Sequence, residues 1–129
     1  MPDSLLLVTA EAEPESRPVA AALYFMDDQT LYGRYWGCIE QYDSLHFEAC
    51  YYQGIEFCIE RRLQRFDPGA QGEHKIQRGF EPVRTWSLHR MAHPDFHRAV
   101  DRFLDEEREM MQEQIEMLNT WLPFKQPGD

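Results

Sequence analysis

A chain of 129 residues, 43% hydrophobic and 13% aromatic, is long enough to bury a core and too apolar to stay disordered. Its net charge of −10 argues against a protein that mainly binds nucleic acid. No run approaches the roughly 18 apolar residues of a membrane span, and MPDSLLLVTAEAEPE lacks the basic start of a signal peptide, so the cytoplasm is the expected compartment.

Leu5 to Ala10 is a short apolar run, and EAEPESRP after it is a charged turn with two prolines. Val19 to Met26 reads as a strand buried on both faces. Asp27 to Gln29 is a polar turn, and Leu31 to Cys38 (LYGRYWGC) is the return strand of an antiparallel three-strand meander. Gly33 and Gly37 fall where glycine marks a bulge or a close approach. Asp43-Ser44 offers an N-cap for a helix reaching about Leu63, with Phe47, Tyr51, Ile55, Cys58 and Ile59 on its apolar face. Arg65 to Pro68 is then a short strand, parallel to the third because a helix connects them.

Glu73 to Gly79 is a helix of about two turns that stops at glycine. Val83 to Met91 alternates as a strand with one solvated face. Pro94 opens a long acidic helix whose stripe runs through Phe96, Val100, Phe103, Leu104, Met111, Ile115, Leu118 and Leu122. At about 40 Å it is longer than so small a domain needs, which points to a homodimer or a missing domain. The whole reads as one α/β domain with a mixed sheet over residues 1–122, followed by a flexible tail at 123–129. Cys38, Cys50 and Cys58 form no CxxC pair and are expected as buried, reduced thiols.

The chemistry concentrates in RFDPGAQGEHK. Residues 61–90 carry seven basic side chains against three acidic ones, while residues 1–60 carry two against eleven. A glycine-bearing loop before a helix presents backbone N–H groups, so Gly69, Gln71 and Gly72 with Lys75 and Arg78 suit a small anionic ligand. The loop is neither GxxxxGK[ST] nor GxGxxG. Glu73 and His74 are candidates for a general acid or base, with a capping glutamate and a surface histidine as the alternative. His46 and Glu48 are expected to face the end of the third strand. His89, His93 and His97 are spaced by four, but Pro94 breaks their alignment and no metal site is expected.

YGRYWGC, LHFEACYYQGIEFCI and FDPGAQGEHKIQRGFEPV, in this order and spacing, resemble the C-terminal half of the FemAB-like predicted N-acyltransferases, also described as peptidoglycan biosynthesis or recognition proteins. The resemblance runs from about Val19 to Phe103. Family members are several times longer, which implies a C-terminal lobe or a short relative, and a lobe alone is expected to be inactive. The resemblance implies a GNAT-like fold: three-strand meander, helix, parallel strand, short helix, strand and long C-terminal helix. In such a fold the third and fourth strands splay and the acyl donor enters the gap.

That gap would be bordered by Tyr35, Trp36, Asp67 and Gln71, with Glu48 and Tyr52 across from them. The implied function is transfer of an acyl or aminoacyl group to an amine, with Glu73, His74 or Glu48 taking the proton. A non-catalytic binding or oligomerisation module with the same fold is the alternative. No covalently bound cofactor is expected. The usual acetyl-CoA loop, [RQ]xxGx[GA], is absent from IEQYDSLHF, so acyl-CoA and aminoacyl-tRNA both stay open as donors.

Overall fold

The fold comes from a computed structural model, which describes residues 2–70 and 72–124. The chain divides into two compact units, Met1–Gln71 and Gly72–Asp129.

The first unit is a four-stranded mixed sheet in the order β1 (Leu5–Ala12), β2 (Arg17–Met26), β3 (Thr30–Cys38) and β4 (Arg65–Asp67). The first three strands form the expected antiparallel meander, and β4 lies parallel to β3. Asp27 builds the tight turn between β2 and β3. Its Oδ1 accepts the backbone N–H groups of Gln29 and Thr30, both at 2.8 Å, and its Oδ2 accepts the Tyr32 hydroxyl. β2 is apolar on both faces but fully buried on one only. Val19, Ala20, Ala22 and Tyr24 are buried, whereas Leu23 is half-covered and Phe25 is exposed.

A bulge sets which residues of β3 reach the core. Leu23 pairs with Tyr35 and Tyr24 with Gly33, so Arg34 is an extra residue between two pairs. Side chains alternate across a strand, and one inserted residue flips that alternation. Leu31 and Trp36, five apart, therefore share the core face, while Tyr35 is 63% exposed on the other.

The helical segment that crosses the core face is α1 (Leu45–Phe47), a π-helical turn (Glu48–Tyr52) and α2 (Gln53–Arg61). In the π turn the Gln53 N–H reaches back five residues to the Glu48 carbonyl. One extra residue in a helical turn rotates everything after it by about 100°. The face expected from an unbroken period is corrected accordingly: Ala49, Tyr51, Gly54 and Cys58 are buried, and Ile59 is exposed. Ser44 stands at the N-cap, but with φ +62° and no side-chain cap bond; its carbonyl receives the Phe47 and Glu48 N–H groups instead. The core comprises Ala22, Tyr24, Leu31, Ala49 and Cys58, flanked by Leu6, Val8, Trp36 and Phe66. Of the thiols expected to be buried, Cys58 is buried, Cys50 half-buried and Cys38 exposed.

The second unit opens with a 3-10 helix, Glu73–Arg78, stopped by Gly79 in the left-handed region. The strand expected over Val83 to Met91 is absent. That stretch is irregular and Val83 to Arg90 are exposed, because alternation makes no strand without a neighbouring ladder to satisfy its N–H and C=O groups. α3 (Pro94–Asn119) follows, with proline in its first turn as expected. Pro123 and Phe124 bend away from its end, and the remainder of the expected tail lies outside the described residues. Among the described residues no helix is long and apolar enough to cross a membrane.

Candidate functional site

β4 pairs with only the first three residues of β3: Thr30 with Arg65, Leu31 with Phe66, Tyr32 with Asp67. The chain stays close for one step more. A Cβ placed on Gly33 would lie 3.4 Å from the Pro68 Cα, so glycine is what lets the two backbones run side by side there. From Arg34 to Cys38 the outer edge of β3 has no ladder partner among the described residues. Its polar backbone groups on that side are available to something other than a strand.

An open cleft of about 340 Å³ lies at the far end of that edge, where β3 turns into α1. Trp36, Cys38, Glu40, Tyr42, Asp43 and His46 line it. The His46 ring is wedged among aromatics, edge-on to Trp36 at 5.4 Å and to Tyr51 at 5.5 Å. Thus His46 faces the end of the third strand, as the sequence suggested. Glu40 is held by the Tyr42 hydroxyl at 2.9 Å and by an ion pair with Arg17. Those two contacts, the tyrosine first, keep its carboxyl below the usual range, and the same bond pushes the Tyr42 phenol up. Ile39 N–H bonds the Val19 carbonyl at 2.7 Å and anchors the start of the turn.

The residues singled out in the sequence fall into separate places. Trp36 lines the cleft, and Tyr35, one residue before it, projects from the opposite face of the sheet. Glu48 is exposed and accepts from Gln53 Nε2 at 2.8 Å, with exposed Tyr52 one turn along. Asp67 Oδ1 accepts the Gly69 N–H at 2.8 Å. The amide of Gly69 is thus engaged by its own strand's carboxylate. Gln71 lies outside the described residues.

In the second unit Gly72 and Glu73 are exposed, and the Gly72 carbonyl receives the Lys75 N–H. Lys75 is only 9% exposed. The Arg78 guanidinium folds back to bond the His74 carbonyl at 2.8 Å. Partial burial first, then the charges of Lys75 and Arg78, push the His74 imidazole below its ordinary value, so it is neutral at pH 7.

Glu40 and Tyr42 were not expected here, and Asp43 was expected only as a helix cap. Their signal is the polar run IEQYDS between an aromatic strand and a helix, a connection on which functional groups tend to sit.

In comparisons with known proteins, residues 1–126 match the FemAB-like family, described as peptidoglycan biosynthesis/recognition. Neither the curated proteins nor the solved structures give a match. A match over nearly the whole chain shows that this protein belongs to the FemAB-like family of peptidoglycan biosynthesis or recognition proteins.

Proposed function

We propose that this chain carries out acyl transfer, passing an acyl or aminoacyl group to an amine of a peptidoglycan precursor. The observation that carries this reading is the free edge of β3 from Arg34 to Cys38, which ends in the aromatic and acidic cleft. A carbonyl laid along that edge would accept hydrogen bonds from fixed backbone N–H groups, which stabilise the oxyanion that develops during attack. The order of meander, helix and parallel strand supports a GNAT-type arrangement, with the donor beside the third strand.

Glu40 and Asp43 draw an acceptor ammonium into the cleft. To attack, that ammonium must shed a proton, and the imidazole of His46 takes it. The amine nitrogen then bonds the carbonyl carbon, the C–O or C–S bond to the carrier breaks, the carrier oxygen or sulfur leaves with the second proton of the nitrogen, and the His46 imidazolium returns its proton to water. Glu48, in the same unit, is the competing base. We place the reaction in the cytoplasm, where aminoacyl-tRNA and acyl-CoA are made and an exposed thiol such as Cys38 stays reduced.

The test is mass spectrometry of a peptidoglycan stem peptide with a free amine, incubated with the full chain and either donor. The expected result is a product carrying the acyl mass, formed about 100-fold more slowly by His46→Gln and at the native rate by His74→Gln. Peptide binding without product from either donor would leave recognition rather than transfer as the function. Absence of both would remove the cleft from consideration.

A further inference from the structure

The Glu40 carboxylate is held from two sides by residues of different elements. Its Oε1 pairs with the guanidinium of Arg17, at the start of β2, and its Oε2 accepts the Tyr42 hydroxyl at 2.9 Å. A glutamate this open to solvent ordinarily moves among several rotamers, and two donors on separate oxygens select one. The turn itself does not depend on this bracket. The Ile39 N–H already ties its start to the Val19 carbonyl, and an ion pair as exposed as Arg17–Glu40 adds little to the stability of a fold. The effect of the bracket therefore falls on Glu40, which lines the cleft. A carboxylate offers about four lone-pair sites, so about two remain beside those that Arg17 and Tyr42 occupy. An ammonium brings three N–H donors, and Glu40 can accept from it without releasing either holder.

Resting on the reading of the cleft as an acceptor-amine site, we propose that Arg17 and Tyr42 are positioning residues. They fix the Glu40 carboxylate as the group that receives the acceptor's ammonium, and they act on the acceptor only through it. A carboxylate fixed beforehand gives up no rotamer freedom when the acceptor arrives, so the bracket tightens binding by preorganisation. The contact is made to the bound ammonium before its proton leaves. Loosening Glu40 therefore weakens acceptor binding and leaves the chemical step at His46 unchanged. Tyr42→Phe isolates this effect, because it removes one holder and no charge. Arg17→Lys keeps the cation but loses the planar fork that fixes a carboxylate oxygen.

Isothermal titration calorimetry of the full chain with a peptidoglycan stem peptide bearing a free amine tests this directly. Tyr42→Phe should raise the peptide Kd about fivefold, and Arg17→Lys should raise it less, both with an unchanged thermal midpoint. Glu40→Ala should raise it about tenfold or more, and adding Tyr42→Phe to that variant should change nothing further. Where a donor gives product, the KM for the peptide should rise by the same factors at constant kcat. A further loss from Tyr42→Phe on top of Glu40→Ala would overturn the proposal, because Tyr42 would then touch the acceptor itself. So would unchanged binding by Tyr42→Phe alone, or a fall in kcat at constant KM. This binding pattern without product from either donor would uphold the bracket and refute acyl transfer. No binding of the peptide by the native chain would overturn both.

Discussion

The hydroxyl of Tyr24, on β2, donates a hydrogen bond to the backbone carbonyl of Ala49 in the π-helical turn. Tyr24 is 1% exposed and Ala49 is buried, so this bond ties sheet to helix in a place water does not reach. Burial first, and then the neighbouring Cys50, Tyr51 and Cys58, push the Tyr24 phenol well above its ordinary value of 10.

Tyr24→Phe should therefore cost about 1–3 kcal/mol, because it leaves the Ala49 carbonyl buried without that donor. The alkaline limb of stability should change with it. A raised phenol contributes stability that is fully present below the unfolded value near 10 and is lost as pH rises above it, since the unfolded chain ionises first. Burial raises the Cys58 thiol above its usual 9 with the same sign, so some alkaline loss persists. Urea unfolding between pH 8 and pH 11 should show a shallower fall for the Phe variant. Equal slopes would mean that Tyr24 is not shielded in the folded state.

Gly54 is where α2 comes closest to the sheet. A Cβ there would lie 2.6 Å from Cζ of the Phe66 ring and 3.3 Å from Cε1 of Tyr24. Alanine in a helix is favoured over glycine by about 1 kcal/mol, but overpacking costs about 1–3 kcal/mol. Gly54→Ala should thus destabilise overall, and pairing it with Phe66→Leu should recover part of the loss. Thermal unfolding of the single and double variants decides this; a more stable Gly54→Ala would show that the Phe66 ring moves aside freely.

Asp27 is fully exposed, yet the Gln29 N–H, the Tyr32 hydroxyl and the Thr30 N–H together hold its carboxyl below the usual range. A depressed carboxyl contributes stability that is present above its ordinary value near 3.8 and is lost as pH falls through the folded one. Asp27→Asn should weaken the β2–β3 turn at pH 7 and make stability less dependent on pH between about 2 and 4. Amide hydrogen exchange at Gln29 and Thr30 reads the turn directly, and unchanged protection would count against it.

For His74, NMR titration should give a midpoint below 6.5, with the neutral imidazole dominant at pH 7. Lys75→Met keeps the apolar stem and removes the charge, so the midpoint should move up without returning to the ordinary value, because burial is the larger cause. The stability this depressed imidazole contributes is present above 6.5 and lost as pH falls through its folded value. A midpoint at or above 6.5 in the native chain would contradict the described surroundings.

The meander, the parallel β4 and the proline-started α3 were legible from the sequence, because each is written in local signals: alternation, turn residues and a crossover that forces strand direction. The family was legible too, carried by long motifs rich in uncommon residues. What lay beyond local pattern was decided by partners distant in the chain. Alternation in VRTWSLHRM looks like a strand, but a strand exists only where another backbone satisfies it, and among the described residues none does. The π turn and the bulge at Arg34 each insert one residue, rotating α2 and returning Trp36 to the core face. The cleft residues Glu40, Asp43 and His46 come together because β3 outruns β4 and turns back into α1, a length difference read only from which residues pair. Local pattern set the meander, the direction of β4 and the start of α3; tertiary pairing decided which other stretches become elements, which faces are buried and where the chain leaves an edge open.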